Sequence, residues 1–272
     1  YLKVYSSAEH HAAYLEKVAQ AWEELIKWLA FGLERRSPAD APAERDGTAR
    51  QALDALRAVS VLATKTPMIS PELARALSLA ARELQVTHMD LGRSLKAANA
   101  AGFSARLDLE VAALERHVIA IQDLLDRERL AQINALSADI AARKRRLEDL
   151  VEKYRATRDE RLRREIDAEL AALEAKLRDL TRLLAQLQRG VSDVNVNREA
   201  LKDADLGKMG DLVREMRKDF AGDDAQKMAE RLKQLGDKMD ALSRGMQKFG
   251  ADLGDARYAE LAAKAAALAG EL

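Results

Sequence analysis

Between residues 104 and 191 apolar side chains recur at alternating spacings of four and three, and this repeat constrains the fold more than any other feature. A stripe of that period covers one narrow side of a helix and is satisfied by a second helix lying along it. Its first half runs through Leu107, Val111, Leu114, Val118, Ile121 and Leu125, slips near Arg129, and resumes with Ile133, Leu136, Ile140, Leu147, Leu150 and Tyr154. Two successive steps of four make the slip a stutter, which locally unwinds a supercoil. The second half, Leu162, Ile166, Leu170, Leu173, Leu177, Leu180, Leu184, Leu187 and Val191, keeps the period almost unbroken. Thr157-Arg158-Asp159 supplies capping oxygens between the halves, and so short a link forces antiparallel neighbours. The expected element is a long antiparallel coiled-coil hairpin that turns at residues 156–159. Its first arm, capped by Ser104 and about 50 residues long, would extend on the order of 75 Å.

The composition agrees with thin helical seams rather than a thick globular core. Charged residues make up 33% of the chain, aromatics 4%, and prolines number 4. The basic and acidic residues balance at 45 each, which speaks against nucleic acid, because phosphate neutralisation demands a basic excess. Cysteine is absent, so disulfides and thiolate metal sites are excluded. No apolar run approaches the roughly 20 residues of a spanning helix. The chain opens at Tyr1 in mid-pattern, without a signal peptide, and reads as a segment of a longer protein whose upstream part could hold a membrane anchor.

Three helices precede the hairpin. The first is expected from about Ser6 to Arg35, with Tyr14, Val18, Trp22 or Ala21, Leu25, Trp28 or Leu29, and Phe31 on its apolar face. Ser37-Pro38-Ala39-Asp40-Ala41-Pro42 breaks it. A second spans roughly residues 48 to 65, with Leu53, Leu56, Val59 or Ser60, and Leu62 or Ala63 inward, and Pro67 ends it. Ser70-Pro71-Glu72 starts the third with a cap, a first-turn proline and an acid. It carries Leu73, Leu77, Ala80, Leu84, Leu91 and Leu95 to Ala101-Gly102, where glycine suits a left-handed C-cap.

After the long hairpin, residues 191–197 read as a loop or loosened helix end. A second hairpin follows, with Leu206, Met209, Val213 or Leu212, Met216 and Phe220 on one arm. Ala221-Gly222-Asp223-Asp224 turns it, and Met228, Leu232, Leu235, Met239, Leu242, Met246 and Phe249 line the other arm. Gly250 and Gly254 loosen that helix before a final Ala-rich one begins at Asp255. The expected fold is therefore all-α: elongated antiparallel coiled-coil hairpins with a small N-terminal helical bundle. The expected divisions are 1–102, 103–191 and 192–272.

Few residues point to chemistry. His10 and His11 project about 100° apart on a helix and cannot share an ion. His88 and His117 are isolated and read as flank or core residues. Glu-x-x-His pairs, Gly-rich phosphate loops, His-Glu-x-x-His and Gly-x-Ser-x-Gly are missing. The reading assigns no catalytic, cofactor-binding or metal-binding residue, expects no cofactor, and does not expect an enzyme. Two interaction candidates remain. Around the hairpin tip, Arg143, Lys144, Arg145, Arg146, Lys153, Arg155, Arg158, Arg161, Arg163 and Arg164 outnumber the acids and could meet anionic lipid or an acidic partner. Met209, Met216, Met228, Met239 and Met246 could form an adaptable surface for a partner helix, or fill the second hairpin's own seam.

Tyr154-Arg155-Ala156-Thr157-Arg158-Asp159, followed by Leu162, Ile166 and Leu170, resembles a helical-hairpin turn of an uncharacterised bacterial family of inner-membrane proteins. Leu212-Val213-Arg214-Glu215-Met216, Gly222-Asp223 and the stretch from Met228 to Met239 are similar to that family's C-terminal helix pairs, so the likeness spans residues 100–250. The resemblance implies two N-terminal membrane spans outside this sequence and a long helical periplasmic region. It implies the periplasmic side of the inner membrane, with the cytoplasm as the alternative, and carries over no catalytic residue. Function is expected in helix–helix contacts: a scaffold or interaction module with protein partners, including a second copy of itself. The alternatives are an adaptor rod that transmits a change through the stutter near Arg129, and the basic tip on an anionic surface.

Overall fold

Tyr14, Val18, Ala21, Leu25 and Trp28 follow one another in steps of four and three, and each is buried. This single stripe makes Ser7–Glu34 a helix (α1) with one side turned inward. The computed structural model describes residues 7–34, 42–63, 65–66, 69–96, 100–190, 206–222, 224 and 226–247. Every element among the described residues is a helix: after α1 come α2 (Pro42–Ala63), α3 (Pro71–Lys96), α4 (Ala100–Thr157), α5 (Glu160–Gly190), α6 (Leu206–Ala221) and α7 (226–247). The expected all-α class is what the chain adopts. The Ser37–Ala41 part of the first break, Pro67, Val191, the loop at 191–197, Asp223, Phe249, Gly250, Gly254 and the Ala-rich end lie outside the described residues, as does the Leu187 side chain.

Two helix starts differ from expectation, that of α2 for a local reason and that of α4 through a contact distant in sequence. α2 begins at Pro42 rather than near residue 48. Proline suits a first helical position, where its missing N–H is no loss, and Glu44 places an acid in the first turn. α3 starts as expected: the Ser70 hydroxyl accepts the Leu73 N–H at 3.3 Å. The Ser70 N–H itself donates to Glu128 of α4 at 2.9 Å. α3 ends at Lys96, so Gly102 is not its C-cap but a residue inside α4, and Ser104 is an exposed helical residue instead of a cap. The cause is Phe103, buried with Leu91, Leu107 and Val111 in a small apolar cluster that continues α4 backwards.

The chain divides into two compact units between Glu128 and Arg129. In unit 1 the stripes of α1, α2 and α3 share one core with Ala113, Leu114, Ile121 and Leu125 of α4. Gly32 of α1 permits a close approach there, since a Cβ in its place would stand 3.1 Å from Val111 Cγ2. Trp28 is core, whereas Trp22 is half-buried and donates its indole N–H to the Val118 carbonyl at 2.9 Å. The boundary expected at 102/103 thus moves to 128/129. The hairpin expected over residues 104–191 paired this whole stripe with the 162–191 arm, but only its later part, from Ile133, packs there, and the first part of α4 packs on α1–α3, because a four-and-three stripe demands a partner helix without saying which.

Unit 2 holds the remainder of α4 with α5, α6 and α7. The α4–α5 reversal falls at Arg158 and Asp159. Arg158 takes a left-handed φ of 54°, its N–H closes α4 on the Tyr154 carbonyl at 2.8 Å, and Asp159 caps α5 by accepting the Arg161 N–H at 2.8 Å. The arms run antiparallel, as Arg143 to Glu169 at 3.0 Å and Lys176 to Asp139 at 3.0 Å require. Asp224 likewise caps α7, accepting the Lys227 N–H at 3.0 Å. Ile140, Leu147, Leu150 and Tyr154 share one core with Ile166 through Leu184 of α5, Met216 and Phe220 of α6, and Leu232 through Met246 of α7. The boundary expected at 191/192 therefore does not separate two cores: both hairpins bury their stripes on each other.

Candidate functional site

Two buried carboxylates of unit 1, Glu110 and Glu128, each face a histidine. His88 reaches from α3 to two other helices: Nδ1 lies 3.0 Å from a Glu110 carboxylate oxygen on α4, and Nε2 lies 3.1 Å from Asp46 on α2. Trp28 of α1 meets the same ring edge-on, with centroids 5.4 Å apart. All four helices of the unit therefore converge on one imidazole. Burial alone pushes the His88 pKa down, but hydrogen bonds and charge from Glu110 and then Asp46 outweigh it and hold the value above the ordinary one. A hydrogen bond from Arg50, assisted by His88, holds the Asp46 carboxyl below its usual range.

His117 and His11 are buried more deeply than the half-buried His88 and are paired differently. His117 is 2.9 Å from Glu83, which also pairs with Arg116. Here burial dominates and lowers the His117 pKa. His11 stands 3.3 Å from Glu128. Beside it the Tyr14 hydroxyl donates to the Val59 carbonyl at 3.1 Å, and burial, with the Glu128 charge, pushes its pKa up to about 12. His10 is exposed. Arg45, which the sequence did not single out, is buried with its guanidinium 5.1 Å from the Phe103 ring centre and 5.8 Å from that of Phe31. Trp28, Phe31, Arg45 and Glu110 border a crevice of about 190 Å³, open solvent included, that is too tight to hold a water molecule. Among the described residues no group of three or more His, Asp or Glu is placed to hold a metal ion.

A signal for part of this cluster is present in the sequence. Leu107, Glu110, Leu114, His117 and Ile121 are themselves a three-and-four series, and all five are buried. Glu110 and His117 occupy seam positions, so polar partners had to meet them from other helices. Nothing local names Asp46 and Glu83 as those partners.

The two sequence-derived interaction candidates fare unequally. Met209, Met216, Met228, Met239 and Met246 are all buried in the unit 2 core, so they are seam residues and not a surface for a partner helix. Near the tip, Arg143 and Arg146 pair with Glu169, Lys144 with Glu148, Lys153 with Asp149, and Arg163 with Glu160. The Lys144 chain also lies over Gly236 of α7. Arg158 stacks on the Tyr154 ring at 5.4 Å. Arg145, Arg155, Arg161 and Arg164 remain exposed, with no carboxylate partner among the described residues.

Unit 1 also carries the exposed apolar surface. Leu79 (56%), Val86 (54%) and Met89 (50%) on α3 and Leu109 (64%) on α4 stand in solvent. The ion pair of Glu83 with Arg116 lies at one end of the Val86–Met89–Leu109 group, and that of Asp90 with Arg106 at the other. Among the described residues no helix is long and apolar enough to cross a membrane. No family model, no curated protein and no solved structure matches this chain.

Proposed function

We propose that the chain is a structural or scaffold module that works through helix–helix contacts. The observation that carries this reading is where apolar surface is left over. Unit 2 turns its stripes inward, whereas the large apolar side chains left exposed among the described residues, Ile26, Leu33, Val61, Leu79, Val86, Met89 and Leu109, all belong to unit 1. Exposed apolar residues grouped on neighbouring helices and rimmed by charge suit the face of another helix. The polar clusters support the same reading, since His11, His88 and His117 are engaged by carboxylates of neighbouring helices and the crevice beside Glu110 is closed to solvent-sized ligands. The bacterial inner-membrane setting, on its periplasmic side, rests on the sequence resemblance alone.

Photo-crosslinking amino acids placed at positions 79, 86 and 109 of the full chain in bacterial cells test this. Adducts with polypeptide are expected at these sites and not at the exposed Arg178 position of α5. Absence of polypeptide adducts at all three contradicts the proposal.

A second reading takes the tip. Arg155, Arg161 and Arg164 flank the α4–α5 reversal with no carboxylate partner among the described residues and offer a small cationic surface for anionic lipid. Vesicles rich in anionic lipid should then bind the chain at low salt and release it at high salt. No binding at low salt removes the reading.

A further inference from the structure

We propose that the outer α3–α4 face of unit 1 is the contact surface of a two-fold homodimer, with α3 of one copy lying over α4 of the other. The inference rests on the helix-contact reading above and adds the partner and the axis. α3 and α4 run antiparallel, since Glu83 meets Arg116, His88 meets Glu110 at 3.0 Å, and Asp90 meets Arg106 at 3.7 Å. Helical spacing puts Leu79 and Val86 on the outer flank of α3 beside α4, and Leu109 on the outer flank of α4 between Arg106 and Arg116. Met89 stands next to Val86 on the crest of α3. At their exposures of 50% to 64%, the four side chains leave on the order of 400 Å² of apolar surface in water, which matches the non-polar share of an interface of roughly 800 Å² per partner.

The charge pattern identifies that partner. At both ends of the patch the acid sits on α3 and the base on α4, and all four side chains are at least one-third exposed. A two-fold axis running along the α3–α4 groove preserves position along the helices and exchanges the two. It sets Glu83 opposite the partner subunit's Arg116, Asp90 opposite the partner subunit's Arg106, and the Val86–Met89 pair over the partner subunit's Leu109. An axis across the helices instead sets Glu83 against the partner subunit's Asp90, acid on acid. Like charges across an interface are costly, so the pattern selects the first axis. An isologous contact needs this self-complementarity. The balance of 45 basic against 45 acidic residues leaves no net repulsion between copies.

The full chain is a convenient reporter because it has no cysteine of its own. Ala112 is exposed on α4, level with Val86 between the Glu83–Arg116 and His88–Glu110 contacts. Chains carrying Val86→Cys are mixed with chains carrying Ala112→Cys under mild oxidation, and the masses of the native chain and of Leu109→Glu are followed by light scattering. The expected results are a native dimer at tens of micromolar, a disulfide-linked product in the mixture exceeding that of either variant alone, and dimerisation weakened at least about tenfold by Leu109→Glu with helicity unchanged. A monomeric mass into the hundreds of micromolar overturns the proposal. So does a dimer that Leu109→Glu leaves intact, or a Val86→Cys chain that links to itself more readily than the mixture links. A monomer whose sites 79, 86 and 109 still crosslink a different polypeptide would end the dimer proposal and leave the helix-contact function standing.

Discussion

His88 faces a carboxylate with each ring nitrogen, and a neutral imidazole has just one N–H to donate. The arrangement therefore favours the doubly protonated ring, joining α3 to Asp46 of α2 and to the buried Glu110 of α4, with Arg50 beside Asp46 and Trp28 packed from α1. A histidine with a raised folded pKa contributes stability that is full below its unfolded value of about 6.5 and declines as pH rises through the raised value. Urea midpoints of the native chain and of His88→Gln should accordingly lie furthest apart below about pH 6.5 and converge at alkaline pH. His117 has the opposite sign. Its pKa is lowered, so its contribution is present above about 6.5 and fades as pH falls towards the lowered value. The native chain and His117→Gln should converge on acidification. A constant gap across pH in both comparisons would contradict the assignments.

Arg158 illustrates a different cost at the same scale. A left-handed φ is unfavourable for a residue with a Cβ, by roughly 1 kcal/mol. Arg158→Gly should raise the urea midpoint by the equivalent of about 0.5 kcal/mol, since glycine also gives the unfolded chain more freedom. A loss of stability would mean that the Arg158 stack on Tyr154 outweighs the strain. The turn itself was legible, because Thr157 and Asp159 are local capping residues. The His88 node was not, because Asp46 lies 42 residues away in sequence and becomes a neighbour through packing.

At the scale of the element, spacing in the sequence revealed each described stripe, but the partner it suggested for the first part of α4, the 162–191 arm, is replaced by α1–α3. Ile166 through Leu184 read as a seam and are one. Met216 and Met239 read foremost as seam, with a partner surface as the alternative, since a stripe of soft side chains has the same period in either role. Burial decides it, and Met216→Ala should cost about 2 to 5 kcal/mol by denaturant unfolding. An unchanged midpoint would return the methionines to the surface. Helix ends were the least legible part. The early start of α4 depends on Phe103 finding Leu91, and the start of α2 on Pro42 being a first-turn residue, and neither is visible as a break in apolar spacing.

For the whole molecule, the division at Glu128/Arg129 falls where the sequence slips phase. Leu125 and Ile133 are fully buried, and Arg129 occupies the seam position between them at 9% exposure. Around it the buried face of α4 turns polar, with Gln122 donating to Asp126 at 2.8 Å and Glu128 near His11. The sequence marked this place as a stutter. That it separates two cores required the partners of each half of α4. Two cores on one helix predict that each half of α4 is stabilised independently.

Native-state hydrogen exchange of the full chain, compared with Leu114→Ala and Leu147→Ala, measures this directly. Leu114→Ala should speed exchange in α1–α3 and in residues 100–128 of α4 while leaving α5–α7 protected as before, and Leu147→Ala should do the reverse. If either substitution loosened the entire length of α4 together with both sets of partner helices, the two-core account would be wrong.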